Sequence, residues 1–263
     1  MPIDKAYLPE GVRARIWRRR DRRRFEAGPK QHAELVVLVG LEGTIQYYID
    51  GTIARIEPRT ALFAQPGRSH FLVSETRHAD LIVVVVSQSL RLSGDIHSVS
   101  TDASGTTEDG IAKISRSDFE ELIRLSHRLV GLEDQAVIEI GISWWLCEVQ
   151  RMVRETETRL SSSLHPKVGD ALELIHETPS MAISQIADAV GLSHTRLTQL
   201  FRRDLGCSPS AVRLDRRLAL VEELRDARPE ASLLELSLDA GFGDYSSFYR
   251  AYQKRYGHKP RHK

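Results

Sequence analysis

Two stretches in the last third of the chain repeat one another, and this repetition limits the possible fold more than any other feature. The first, Ile186 to Gly206, reads IADAVGLSHTRLTQLFRRDLG. Ile186 and Val190 lie four apart and place apolar side chains on one helical face, while Ala187 is small enough for a second helix to approach. Gly191 supplies the positive φ that ends the first helix. Ser193 has the chemistry of an N-cap, and Leu197, Leu200 and Phe201 give the next helix its buried stripe. Fifty residues on (241 − 191), LLELSLDAGFGDYSSFYRAYQKRYG follows the same grammar. Leu236 stands for Ile186, Ser237 for Ala187 and Gly241 for Gly191. Phe248 and Tyr252 stand for Leu197 and Phe201 at an offset of 51, because the second turn carries an extra residue near Gly243. Both copies close on Gly-x-x-Pro, at Gly206 to Pro209 and Gly257 to Pro260.

Two helices joined by a tight glycine turn make a helix-turn-helix unit, whose second helix can lie in the DNA major groove. A two-helix hairpin in an ordinary core has much the same apolar pattern, so it is the repetition that favours DNA. Between the copies, PSAVRLDRRLALVEELRDA carries Val212, Leu218, Val221 and Leu224 at helical spacing. A helix of roughly 17 residues is ~25 Å long. With flanking packing it sets two recognition helices near one DNA turn, ~34 Å, apart.

The pieces I-A-x-x-V-G-L-S (186–193), F-x-x-x-x-G-x-S-P (201–209), R-L (217–218), A-G-F-x-D (240–244), S-F (247–248) and G-x-x-P (257–260) resemble the DNA-binding domain of the AraC/XylS family of bacterial transcription regulators. The resemblance covers about 99 residues, from His165 to the end. Three positions depart from the family: Ser237 (usually Ala), Val212 (usually aromatic) and Tyr252 (usually Phe), all substitutions of buried size. The resemblance implies a dimeric regulator that binds double-stranded DNA and acts on RNA polymerase.

Side chains at the start of the first recognition helix are His194, Thr195, Thr198 and Gln199. Gln can read adenine bidentately and Thr can meet a thymine methyl. Arg202 and Arg203 are placed for phosphates, which give affinity and salt dependence rather than sequence choice. In the second copy Tyr245, Ser246 and Arg250 match the family's groove-facing positions, and Arg250 is the candidate for a guanine contact. Lys254 belongs to the same basic tail as Arg255, Lys259, Arg261 and Lys263. Arg217 is either a phosphate contact or a packing residue. For each of these residues a backbone contact or a solvated face is the alternative.

The 263 residues, 28% of them charged, suit two modest domains. The net charge is only +1, so positive charge is clustered rather than global. Cys147 and Cys207 cannot build a zinc site alone and read as reduced cytosolic thiols. No run of ~18 apolar residues and no secretory signal is evident, so a cytoplasmic protein without membrane contact is expected.

Val12 to Arg24 reads VRARIWRRRDRRR, with eight arginines and one acid. It is either an arm for the minor groove or an anionic ligand, or a first strand RARIW with a solvated basic edge. Leu35 to Val39 is a continuous apolar run, and Thr44 to Ile49 alternates before the turn Asp50-Gly51 and a strand at Thr52 to Ile56. Pro58 and Pro66-Gly67 mark turns, His70 to Val73 is extended, and Asp80 to Val86 is a β-branched buried strand. H-A-E-L-V-V-L-V-G (32–40), D-G (50–51), Pro58 and P-G-R-S-H (66–70) resemble a cupin half-barrel over roughly residues 10 to 90, the usual effector domain of this regulator family. His32 and Glu34, at i and i+2, would face one way on a strand and could join His70 in a two-His-one-carboxylate metal set. Metal cupins use H-x-H at that strand, however, and Glu34 stands in place of the second His. His32, Glu34, Gln46, Tyr48 and His70 are therefore candidates for lining a pocket for a small organic effector, or for hydrogen bonding at the barrel mouth, and no cofactor is expected.

Leu92 to Gly110 reads as a loop. Ser117 to Glu120 looks like a capping box opening a helix of roughly 118–130, with Phe119, Leu122, Leu125 and Leu129 on one face. A second helix of roughly 133–158 carries Val137, Ile140, Trp144, Leu146, Val149 and Met152. Similar regulators dimerise through such a pair; covering the barrel is the alternative. Arg154 to Ser163 serves as a linker. The expected fold is α+β: a β-rich, cupin-like domain (1–112), a helical dimerisation segment and linker (113–163), and an all-α domain with two helix-turn-helix units (164–263). No nucleophile–base pair or phosphate-cradling glycine loop supports an enzyme. Three functions stay open: an effector-sensing regulator, a regulator whose cupin is only a scaffold, and a metal-dependent cupin enzyme fused to a DNA-binding module.

Overall fold

A computed structural model describes residues 8–19, 33–76, 78–90, 110–154 and 161–260. The N-terminal part is β-rich and the C-terminal part helical. The chain divides into two compact units, one built chiefly from residues up to Ser162, the other from Ser163 onward together with Phe71–Ser74.

In the first unit, β1 (Ala14–Arg19), β7 (Asp80–Val86), β2 (Leu35–Glu42), β5 (Thr60–Ala64) and β8 (Gly110–Lys113) form a five-stranded sheet in that order. A second sheet runs β6 (His70–Glu75), β3 (Ile45–Ile49), β4 (Thr52–Ile56) and β9 (Ser161–Ser163). The β3–β4 hairpin closes on Asp50-Gly51, both at positive φ (37° and 84°), which is the twist a two-residue hairpin loop requires. Because side chains alternate along a strand, Val37, Val39, Ala61, Phe63, Ile82 and Val84 share one face of the five-stranded sheet. That face packs on α1 (Arg116–Val130) and α2 (Gln135–Arg154) through Leu122, Trp145, Leu146 and Val149. Gly141 lets the two helices close: a Cβ there would lie 2.2 Å from Leu129 Cδ2. The Trp145 indole N–H donates to Ser126 Oγ at 2.8 Å, and Ser126 donates in turn to the Leu122 carbonyl.

Several expectations shift here. The cap of α1 is Ser115, whose Oγ accepts from the Asp118 N–H, so the helix starts before the Ser117 to Glu120 box. The strand β5 occupies the stretch between the Pro58 and Pro66 turns, and β9 lies within the expected linker. Arg13, just before β1, and Arg18 and Arg19 within it face acidic partners. Arg13 donates from its backbone N, Nε and Nη2 to Glu139, Arg18 forks onto Asp80, and Arg19 pairs with Glu75 at 2.6 Å. Residues 14–19 are therefore a strand, but its arginine edge is not solvated as expected: Arg19 is buried against Glu75. Arg20 to Arg24, His32, Arg91 to Asp109 and most of the linker lie outside the described residues.

α2 has two apolar faces. Ile142, Trp145, Leu146, Val149 and Met152 are buried. Val137, Ile140 and Trp144 are 48%, 72% and 55% exposed, and Cys147 is exposed too. Among the described residues no helix is long and apolar enough to cross a membrane.

The second unit holds α3 (Pro166–Glu177), α4 (Ile183–Ala189), α5 (His194–Leu205), α6 (Pro209–Ala227), α7 (Leu233–Asp239) and α8 (Tyr245–Tyr256). The α4–α5 turn contains Gly191 (φ 70°) and the α7–α8 turn Gly241 (φ 89°). Leu197, Leu200 and Phe201 bury the inner face of α5, and Phe248 and Tyr252 that of α8. α6 crosses between the two helix pairs. Its Leu218 and Val221 join Leu236, Phe242, Phe248 and Tyr252 in one core.

Candidate nucleic-acid interface

The start of α5 is fixed by Ser193, whose Oγ accepts from the Arg196 N–H at 3.2 Å. The start of α8 is fixed by Asp244, which accepts from the Ser247 backbone N at 2.7 Å and from Ser247 Oγ at 2.8 Å. The two caps are 51 residues apart (244 − 193) whereas the turn glycines are 50 apart, so the extra residue sits in the second turn. Hydrogen bonds from the Ser247 N–H and hydroxyl, with help from the positive charge of Arg250, hold the Asp244 carboxyl below its ordinary value. The cap is therefore ionised wherever DNA binding would be measured.

His194, Thr195 and Gln199 are exposed along the outer face of α5, with Thr198 half-buried between them. The Thr198 hydroxyl donates to the His194 carbonyl at 2.9 Å, leaving its methyl as the outward chemistry. Arg202 is exposed further along the helix, and Arg203 ion-pairs with Asp204. On α8, Ser246, Arg250 and Lys254 are exposed. Tyr245 is half-buried, its ring centroid 5.8 Å from that of Phe248 and 6.2 Å from that of Tyr249. The sequence reading omitted Arg196, which is exposed on α5 with Nη1 3.5 Å from Gln199 Oε1. Its place three residues before Gln199 was the available signal.

Arg217 sits differently. Its Nε donates to the Pro179 carbonyl at 2.7 Å and its Nη2 to the Ser180 carbonyl at 3.3 Å, and its side chain is half-buried. Burial, reinforced by the nearby charge of Arg213, lowers its pKa. Of the two roles open to it, this geometry suits packing.

Asp204 ties α5 to the entry of α3. It accepts from Arg203 Nε and, at 3.0 Å, from the His165 backbone N. The Arg203 hydrogen bond, opposed by burial and aided by the His165 N–H, holds its carboxyl below the ordinary aspartate value. A carboxyl whose folded pKa is depressed stabilises the fold above the unfolded pKa and loses that contribution as pH falls through the folded one. Thermal stability should thus drop as pH falls below about 4, and Asp204→Asn should flatten that slope. Melting curves at several pH values check this; an unchanged slope in the variant would rule Asp204 out as its source.

Among the effector candidates, Glu34 and His70 are 8% and 1% exposed. His70 Nδ1 lies 2.9 Å from the Arg68 carbonyl, which can only accept, so that nitrogen carries the proton. The ring beside His70 is Tyr47, at 5.8 Å between centroids. Gln46 and Tyr48 flank Tyr47 on β3 and so lie on its opposite face. Among the described residues no group of three or more His, Cys, Asp or Glu could hold a metal ion, and His32 lies outside them.

The family described as a helix-turn-helix domain matches residues 186–262, from within α4 to beyond the end of α8. Over 158 residues the chain is 25% identical to the xylose operon regulatory protein of Escherichia coli strain K12, covering 57% of this chain and 38% of that one. Residues 186–262 are thus a domain of the helix-turn-helix family, and the chain is similar to AraC-type transcription regulators. It spans about two fifths of the length of the curated relatives it matches. An AraC-type DNA-binding domain from Chromobacterium violaceum is 27% identical, with a TM-score of 0.32, over 36% of this chain and 86% of that one. Fatty-acid-bound ToxT from Vibrio cholerae strain SCE256 is 12% identical, with a TM-score of 0.42, over 94% and 92% of the two chains. The helix-turn-helix match falls on the same residues whose caps and exposed faces are described above.

Proposed function

We propose that this chain is a sequence-specific, dimeric DNA-binding regulator of transcription of the AraC type. In this reading α4–α5 and α7–α8 are two helix-turn-helix units that place α5 and α8 in adjacent major grooves of double-stranded DNA, within reach of RNA polymerase. The observation that carries it is the register of the exposed faces. At the offset of 51, His194 corresponds to Tyr245, Thr195 to Ser246, Gln199 to Arg250 and Arg203 to Lys254. A polar outer face occurs on any surface helix, but a shared register across two capped helices suits two readers of one duplex. Gln199 and Arg250 have the fork geometry that discriminates adenine and guanine, while Arg202, Arg203 and Lys254 suit phosphates.

The N-terminal unit is proposed to be cupin-like and to sense a small organic effector. Its support is the pair of buried polar side chains Glu34 and His70 in a strongly apolar β-rich unit. The exposed stripe of α2 is proposed to join two copies of the chain.

The test is binding of the full-length protein to fragments of the DNA flanking its own gene, titrated with salt. One fragment should bind at least about a hundredfold more tightly than the rest. The logarithm of the affinity should fall linearly with that of the salt concentration, by about 0.9 per phosphate contact. Equal binding to every fragment would end the reading as a sequence reader. The selected fragment then serves to screen effectors by the shift they cause in affinity.

A further inference from the structure

Three arginines of α6 that their charge alone would assign to DNA turn inward, onto the last turn of α3 and the segment between α3 and α4. Arg216 Nε donates to the His176 carbonyl at 3.2 Å, and Arg213 Nη1 to the Met181 carbonyl at 2.6 Å. Arg217 takes the Pro179 and Ser180 carbonyls between them. Backbone carbonyls leaving a helix end need donors, and a guanidinium supplies several in one plane.

Arg217 also meets the second helix pair. Its guanidinium carbon lies 5.9 Å from the centroid of Phe242, in the α7–α8 turn, and Phe242 stacks edge-on against Phe248 of α8 at 5.5 Å. At the same place Gly241 comes so close to the first pair that a Cβ on it would lie 2.8 Å from Ser180 Cα. Its counterpart in the repeat, Gly191, has nothing within 4 Å of such a Cβ. Positive φ accounts for glycine at both turns, but only Gly241 is also required by contact with another element.

We infer that Arg217 and Gly241 are positioning residues that clasp the α7–α8 turn onto the α3–α4 turn, so that α5 and α8 meet DNA as one block with a single spacing. The clasp rests on the reading of those helices as the DNA-reading pair for its purpose, though not for its existence. Its consequence for recognition is that a base pair inserted between the two contacted segments cannot be absorbed by the protein and must be absorbed by the duplex.

Two measurements test it, the first without DNA. In full-length protein with Cys147→Ser and Cys207→Ser, spin labels at Asp188→Cys and Gln253→Cys, both exposed positions, report the distance between the helix pairs. Labelled chains are diluted with unlabelled ones so that only distances within a chain are seen. The parent should give one narrow distribution, Arg217→Ala a broad one, and Gly241→Ala a displaced one. Arg213→Ala, which removes a carbonyl contact that does not reach the second pair, should match the parent. A distribution in Arg217→Ala identical to the parent's overturns the clasp. Circular dichroism confirms the fold of each variant, and Arg217→Lys, which keeps one donor, replaces the alanine variant if that one unfolds.

The second measurement uses the selected DNA fragment with one base pair inserted between the segments protected by the two helix pairs. The insertion should weaken the parent by about 30-fold or more, and Arg217→Ala by less than about 5-fold. Equal penalties overturn the proposal, as does a loss in Arg217→Ala that is the same at both spacings with a shallower salt dependence, the mark of a phosphate contact. Should the parent bind all fragments alike, the DNA reading fails while the distance measurement still decides the clasp.

Discussion

Replacing Gln199 and Arg250 together by alanine is expected to lower affinity for the selected DNA about a hundredfold or more, because each bidentate base contact discriminates by about 1–3 kcal/mol and the two lie on different helices. Binding to unrelated DNA should change by less than about threefold, since that term comes from phosphates. Both side chains are exposed, so the fold should melt as in the parent. The comparison variant is Arg202→Ala. Losing one phosphate contact should weaken all fragments alike and reduce the salt slope by about 1. If the double variant behaves like Arg202→Ala, then α5 and α8 contribute affinity without choice, and the assignment of their base-reading side chains is wrong.

The second large effect is expected from Ile140→Glu with Trp144→Glu. Val137, Ile140, Trp144 and Cys147 follow the alternating three- and four-residue spacing of a helix–helix seam, and they face away from the core that Ile142, Trp145 and Val149 enter. A contiguous exposed apolar stripe of this kind is the surface a partner helix covers. Two carboxylates in it should turn a dimer into a monomer by sedimentation while the helical signal is preserved. Because a dimer binds two half-sites with a high effective concentration, affinity for the selected fragment should fall by about 10²–10⁴. Cys147 provides an internal check. It is exposed on the stripe, whereas burial and the nearby Asp215 push the Cys207 thiol up to about 11 and leave it unreactive. A short bis-maleimide should therefore link parent chains through Cys147, and the double variant should stay unlinked. A parent that sediments as a monomer at micromolar concentration would refute the seam.

Most of the helical unit can be read from the sequence because its signals are local. Gly191 and Gly241 mark the turns, Ser193 caps α5, and Gly206 and Gly257 end α5 and α8 in the left-handed conformation, each within a few residues of what it controls. The strands were legible where alternation or a β-branched run was long, as in Asp80–Val86. They were not where the run was short: Thr60–Ala64 is five residues between two proline turns, and its pairing to β2 depends on residues more than twenty positions away. Ser115 and Ser117 are both plausible caps two residues apart, and the choice between them is made by where Ile114 enters the core. Arg217 shows the limit more sharply. Nothing near it in sequence reveals that its partners are carbonyls 37 and 38 residues earlier. Likewise, the two faces of α2 read as one apolar helix until the sheet claims only one of them. Beside the effector candidate His70 lies the ring of Tyr47, a contact between neighbouring strands that no local pattern marks.

The inward turn of the α6 arginines also bears on how such a molecule would find its target. In a chain of net charge +1, guanidinium groups held on carbonyls at Arg213, Arg216 and Arg217 and others paired with carboxylates at Arg18 and Arg19 are withdrawn from the solvent-facing cation supply. Retention on bulk genomic DNA grows with the number of phosphates a protein neutralises at once. In the proposed reading, each guanidinium so withdrawn is one phosphate fewer neutralised at a wrong position, so such a regulator would leave bulk DNA more readily than its arginine content implies.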